Sequence, residues 1–321
     1  MARPFRFGLH FWELPVDDWR DRVRRYERLG FSTVTLTDHL VVPQWEPVAG
    51  LSAIAAVTEE LRVGPLVLDM GLRDPALTAK AAATVDRLSG GRLELGLGAG
   101  YVAANFGAAG QPFASAGDRV ARLEEAVELM RQLWAQPTTT FQGRFFDVAD
   151  APMAASTPVH PHLLLGGGGP RVMRFGGRVA DTVSMIARQD TGEWSVADSL
   201  TDSTVERMAE KADWVREGAA AAGREPSSVE LHTMVARVIV GDDPGAAVAQ
   251  ALADDAVDPR AAAESTLYLC GTGDEVRARL RRWRDDAGIS YVSLFDPGDE
   301  QIDWLAEHVM RPLAAEDRPS S

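Results

Sequence analysis

Short apolar runs alternate along the chain with segments in which apolar residues recur every three or four positions. Residues 5–11 read as a strand. Val16, Trp19, Val23, Tyr26 and Leu29 then mark one face of a helix whose other face carries Arg and Asp. Gly30 ends that helix as a C-cap glycine does. Residues 33–37 predict a second strand and 51–60 a helix. A third strand follows at 61–68, then a helix at 75–88 with Pro75 in its first turn. Residues 92–97 read as a fourth strand. Ser115 and Asp118 give a cap signal ahead of a helix carrying Val120, Leu123, Val127, Met130 and Leu133. The β-branched and aromatic residues of 138–148, around Gln142-Gly143, predict a hairpin.

The alternation then resumes. Strands are predicted at 162–165, 182–186, 229–240 and 291–295, and helices at 171–179, 204–222, 244–253, from Thr272 through Trp283, and at 302–313. Thr272 and Glu275 form a capping box, while 187–203 is polar and irregular. Eight strand–helix alternations in 321 residues predict an α/β fold, a (β/α)8 TIM barrel with insertion segments. It would occupy residues 1–315 as a single domain, with 316–321 a flexible tail.

The composition is that of an ordinary globular chain, 45% hydrophobic and 25% charged. No run approaches the 18 apolar residues of a membrane span, and the N-terminal segment lacks a signal-peptide layout. The single Cys270 excludes an intramolecular disulfide and fits a reducing cytoplasm, so a cytoplasmic protein is expected. A net charge of −14 argues against a nucleic-acid partner.

In such barrels the chemistry sits at the carboxyl ends of the strands. Those ends carry His10, Asp38-His39, Asp69 with Arg73, the run Gly96-Leu97-Gly98-Ala99-Gly100-Tyr101, and the run Gly166-Gly167-Gly168-Gly169-Pro170-Arg171. Four glycines leading into a helix let backbone approach an anion closely, and the helix N-terminus adds free N–H groups. A flexible tight turn is the competing reading. Neither glycine run has the spacing of a dinucleotide fingerprint, which favours a phosphate-bearing cofactor held in a barrel.

His39 can donate a hydrogen bond to a polarised atom or act as a general acid, and Asp38 can accept from a ring nitrogen or orient its neighbour. A capping Asp beside a packed His is the alternative. His10 reads as a pocket-wall or packing residue. Gly98 to Gly100 would let backbone lie flat against an aromatic ring, or form an ordinary strand-to-loop turn. Trp45 has two readings, substrate-pocket wall and loop packing.

Both lysines, Lys80 and Lys211, fall in helical patterns, which disfavours Schiff-base chemistry. His160 and His162 enter a strand at the barrel's inactive face, so no metal site is expected. Cys270 has no local features of a nucleophile.

At these residues the chain resembles the bacterial luciferase-like flavin and deazaflavin oxidoreductases. The matching segments are residues 29–39, ending in Thr37-Asp38-His39; 88–101, with the strand-four glycines; 141–146, Phe-Gln-Gly-Arg-Phe-Phe; 165–171; and 288–296. The likeness spans residues 3–313 and is greatest to the branch that uses coenzyme F420, an 8-hydroxy-5-deazaflavin.

The resemblance implies that Gly167, Gly168, Gly169 and Arg171 hold the cofactor phosphate, and that Asp38 and His39 contact deazaflavin or substrate. It implies a bulge near Gly64-Pro65-Leu66-Val67, often with a non-prolyl cis peptide, pressing on the ring. Pro65, Leu66, Gly98 and Ala99 would line the cofactor, and His10, Trp45 and Asn105 the substrate pocket. Family members often carry an acid shortly after the strand-four glycines; here Ala99 and Asn105 stand at those positions, which shifts proton handling to His39.

The expected function is hydride transfer between F420 and a small organic substrate by a homodimer. The alternatives are an FMN-dependent monooxygenase supplied with reduced flavin, and a non-enzymatic flavin-sequestering barrel.

Overall fold

The computed structural model describes residues 3–152, 160–189, 192 and 195–317. Strand β1 (Arg6–Phe11) is followed by α1 (Trp19–Leu29), which ends at Gly30 in the left-handed conformation. Next come β2 (Thr33–Leu36) and α2 (Pro47–Val57), whose N-terminal amide of Ala49 is capped by Glu46. The third barrel strand is two pieces, β3 (Arg62–Pro65) and β4 (Leu68–Asp69), with a cis Leu66–Val67 peptide between them. Helix α3 (Pro75–Leu88) and β5 (Glu94–Gly98) complete the first half.

Two helices follow, α4 (Ala103–Ala108) and α5 (Ala116–Ala135), then a surface hairpin of β6 (Thr139–Gln142) and β7 (Asp147–Ala151). The barrel resumes with β8 (His162–Gly167), α6 (Pro170–Val179), β9 (Thr182–Met185), α7 (Val196–Thr201) and α8 (Val205–Ala221). Strand β10 (Glu230–Val235) breaks at Ala236, and β11 (Arg237–Val240) leaves the barrel. Beyond α9 (Gly245–Asp254) and α10 (Pro259–Glu264), β12 (Tyr268–Gly271) pairs with β11 in parallel as a small separate sheet. The chain ends with α11 (Gly273–Ala287), β13 (Ile289–Phe295), α12 (Asp299–Leu305) and α13 (Arg311–Glu316).

The parallel order β3-β2-β1-β13-β10-β9-β8-β5-β4 closes on itself through β5 and the Val63–Leu93 bridge. The fold is the (β/α)8 TIM barrel expected from the alternation. Inside it the side chains are largely polar, among them His10 with Thr35 and His232 with Ser184 and Ser293, while Leu9, Val34, Leu97, Leu165, Val183 and Leu294 alternate with the inward positions and pack under the helices.

The floor is ionic. Arg6 bridges Glu94 and Glu230, Arg62 adds a second bond to Glu94, and the Arg6 guanidinium lies 3.5 Å from the centroid of the Tyr291 ring. His162 sits among these groups, its Nε2 2.8 Å from Thr182 Oγ1, at the end away from the strand-tip residues.

Several details differ from the sequence reading. The predicted strand at 229–240 is the β10–β11 pair, and α4, α7 and α10 lie where no helix was expected. Glu316 and Asp317 are not loose, since they bind Arg281 and Arg284. The rest of the predicted tail, 318–321, lies outside the described residues.

Candidate active site

Asp38 and His39 leave the end of β2 and turn in different directions. The Asp38 carboxylate accepts two bonds from Arg73, at 2.7 and 2.8 Å, and one from the backbone N–H of Asp69 at 2.9 Å. Arg73 also binds Glu46. Asp38 is therefore a strut tying the end of β2 to the segment between β4 and α3.

His39 faces the strand tips. Its Nδ1 lies 3.0 Å from Asn105 Nδ2, and Asn105, only 1% exposed, uses its Oδ1 to accept the backbone N–H of Val41. Trp12 and Tyr101 flank the imidazole at centroid distances of 5.7 and 6.1 Å. Burial pushes the His39 pKa below its ordinary value, partly opposed by the Asp38 charge.

His10 lies deeper. Its Nδ1 is 2.9 Å from Thr35 Oγ1 and its ring tilts against Phe295, which meets Trp12 edge-on. Complete burial pushes the His10 pKa down to about 3. It is a neutral underlayer beneath the aromatic wall. Trp45 instead stands edge-to-face with Trp19 and against Gly50 of α2, packing its loop onto the helix layer.

Opposite the histidine, the cis Leu66–Val67 peptide turns the Val67 side chain over Gly98 and Gly166. A Cβ on Gly98 would come within 2.5 Å of Val67 and one on Gly166 within 3.0 Å, so the two glycines make room for the Val67 side chain that covers them. Pro65 ends β3 opposite Leu36, and Ala99 packs on the core.

Gly100 has φ +74°, and a Cβ there would overlap both oxygens of Asp69. Asp69 Oδ1 accepts the Gly71 N–H at 2.8 Å, while Oδ2 takes no hydrogen bond from the described residues. Burial pushes the Asp69 pKa up to about 6; the Gly71 N–H opposes this, the Asp38 charge reinforces it, and Arg119 and Arg73 lower it.

The glycine run after β8 divides by function. Gly167 is pressed on Val172, and a Cβ on Gly168 would come within 2.5 Å of the Ile186 carbonyl oxygen. A Cβ on Gly169, the N-cap of α6, would meet nothing within 4 Å. The open anion approach is thus at Gly169 and the first-turn amides of α6. Arg171, 52% exposed at its side chain, is held by Glu124 and the Gly117 carbonyl, on the flank of that opening.

Phe295 also walls a cavity of about 280 Å³ between β11, α9 and the end of β13. Its charged lining is Asp254, Asp255, Asp296 and Arg237, and Arg237 is bound bidentately by Asp255. The sequence reading did not single out Trp12, Tyr101 or Phe295. Each sits next to a strand tip, the only signal that could have selected them.

The sequence profile of the luciferase-like monooxygenase family matches residues 8–290. The chain belongs to this family. A relative from Intrasporangium calvum, an F420-dependent glucose-6-phosphate dehydrogenase, is 30% identical over 311 residues, covering 89% of this chain and 90% of its own. An F420-dependent secondary alcohol dehydrogenase, solved with an F420–acetone adduct, superposes with a TM-score of 0.79 at 22% identity, covering 97% of this chain and 99% of its own. The monooxygenase RslO1 from Streptomyces bottropensis superposes with a TM-score of 0.76 at 23% identity, covering 96% and 99%. The likenesses to solved structures carry the barrel fold. In this chain Val67, seated over Gly98 and Gly166, and the open N-terminus of α6 lie at the carboxyl ends of the barrel strands.

Proposed function

We propose that this luciferase-like protein is a coenzyme F420-dependent oxidoreductase acting on a small organic molecule. The observation that carries the reading is the joint placement of three features at the strand tips: Val67 seated over Gly98 and Gly166, the open approach at Gly169, and the partly buried His39. A flat ring with a phosphate-bearing tail fits the apolar face of Val67 together with an anion site that no side chain fills. The F420-dependent name of the Intrasporangium calvum relative supports the same cofactor.

A bound deazaflavin supplies a hydride at a ring carbon and reacts poorly with O2. The first-turn amides of α6 would hold its phosphate, with Arg171 beside them. Val67 would lie against the ring, and Asp38 fixes the segment that carries Arg73. His39 would contact the substrate's reacting oxygen, and Trp12, Tyr101 and Phe295 wall the site.

The cavity beside Phe295 holds three carboxylates and one arginine already engaged by Asp255, so it gives no cation to a phosphorylated substrate. An uncharged or cationic substrate fits it better than a sugar phosphate.

Residues 1–315 act as one domain, in the reducing cytoplasm that the lone Cys270 fits; no helix among the described residues is long and apolar enough to cross a membrane. The working unit is a homodimer. Leu77 and Leu88 of α3 are 71% and 82% exposed. A second copy covering these exposed α3 leucines gives the self-complementary contact of a dimer.

Oxygen dependence tests the reading. Hydride transfer with F420 proceeds under strict anaerobiosis at the aerobic rate. A reaction that requires both O2 and reduced FMN replaces this reading with the monooxygenase one.

A further inference from the structure

The contact between Asn105 and His39 fixes the chemistry of the imidazole as well as its position. The backbone N–H of Val41 donates to Asn105 Oδ1 at 3.2 Å, and a backbone N–H can only donate. That bond identifies the amide oxygen and turns the amide nitrogen toward His39. Asn105 Nδ2 then donates to His39 Nδ1 at 3.0 Å. A ring nitrogen that receives an N–H bond bears a lone pair, and in neutral imidazole the other nitrogen bears the hydrogen. His39 is held as the Nε2–H tautomer.

Charging the ring would set two N–H donors against each other at Nδ1, in a site where burial already disfavours a cation. The groups facing it from other elements do not reverse this. His10 of β1 is neutral, Trp12 and Tyr101 are uncharged, and the neighbouring Asp38 carboxylate is engaged by Arg73. Nε2 makes no hydrogen bond with the described residues.

We propose that His39 works as a neutral hydrogen-bond donor through Nε2, with Asn105 as its positioning residue, and that the substrate presents a carbonyl oxygen to it. The inference rests on the deazaflavin reading for the origin of the hydride. A new C–H bond forms at the carbonyl carbon as hydride arrives from the reduced deazaflavin, and the π pair of the C=O bond moves onto oxygen. His39 stabilises that negative charge and keeps its own proton; water supplies the proton that completes the alcohol. Removing an alcohol proton would need a lone pair at Nε2, and the bond from Asn105 moves the ring's lone pair to Nδ1. A neutral imidazole serving as an electrophile is established chemistry where its pKa is lowered.

Two-bond ¹H–¹⁵N spectra of the full-length protein, labelled at histidine and assigned with His39→Gln, read the tautomer directly. Near neutral pH a protonated Nε2 and a bare Nδ1 are expected in the wild type. In Asn105→Asp the new carboxylate accepts from the ring, so the hydrogen moves to Nδ1 and the pKa rises. A wild-type Nδ1–H tautomer or an imidazolium near neutral pH overturns the proposal, and so does an Asn105→Asp spectrum identical to wild type. Should Asn105→Asp fail to fold, the wild-type spectrum alone decides. The tautomer is read without cofactor, so failure to bind F420 would strike the deazaflavin reading and leave this result standing.

Discussion

His39 carries its role through a single exposed edge of its ring, and substitution separates donation from proton transfer. His39→Ala removes the donor, and turnover is expected to fall by roughly 10²- to 10³-fold with F420 affinity unchanged. His39→Gln restores an N–H near the same place and should recover at least about tenfold of that loss. Equal turnover in the two variants, measured by anaerobic single-turnover absorbance, would show that His39 transfers a proton instead. Asp69 gives a second residue-level test. Its folded pKa is raised, so between about pH 4 and 6 the native state binds more protons than the unfolded state and this group's contribution to stability falls as pH rises. Asp69→Asn removes that slope, and urea unfolding should find the variant gaining on wild type by up to roughly 3 kcal/mol across the interval. His39 was legible in the sequence because it follows a strand-like run. The strut made by Asp38 was not, because its partner Arg73 lies 35 residues on and only the fold brings them together.

At the level of elements, the loop after β8 and the helix it opens separate packing from binding. Gly168 and Gly169 are adjacent and look alike in sequence, yet one is pressed on the Ile186 carbonyl and the other faces open space. Gly169→Ala should leave the melting temperature within about 2 °C of wild type and weaken F420 binding at least about tenfold, as read by fluorescence titration. Gly168→Ala should lower the melting temperature, because its methyl must displace backbone. The reverse ordering would move the anion site away from Gly169. The strand–helix alternation was readable because each helix buries one stripe and each strand is short and apolar. Strand seven was read too long because Val238, Ile239 and Val240 continue its apolar run, although they pair with Tyr268–Gly271 outside the barrel. Helix α4 escaped notice since Ala103–Ala108 has neither a cap side chain nor a periodic face.

Across the whole molecule, polar groups thread the barrel from end to end. His232 sits mid-barrel with Nδ1 on Ser184 and Nε2 on Ser293, its pKa pushed far down by burial, like that of His10. Both folded pKa values lie below the unfolded one, so the unfolded state gains protons as pH falls through about 6.5, and stability is lost by about 1.4 kcal/mol per pH unit for each ring. His10→Gln should flatten its share of that slope in chemical denaturation. At the floor, Glu94→Ala removes the buried carboxylate shared by Arg6 and Arg62, leaving Arg6 only Glu230, and is expected to cost about 3 kcal/mol. The exposed α3 leucines predict the assembly: Leu88→Glu should convert a dimer to monomers in sedimentation equilibrium, and an unchanged wild-type monomer would remove that surface from the account. The central claim concerns which cofactor the strand tips hold, and titration of the purified protein with F420 and with FMN tests it most directly. The account predicts saturable binding of F420 and much weaker binding of FMN; tight FMN binding with no response to F420 would contradict it.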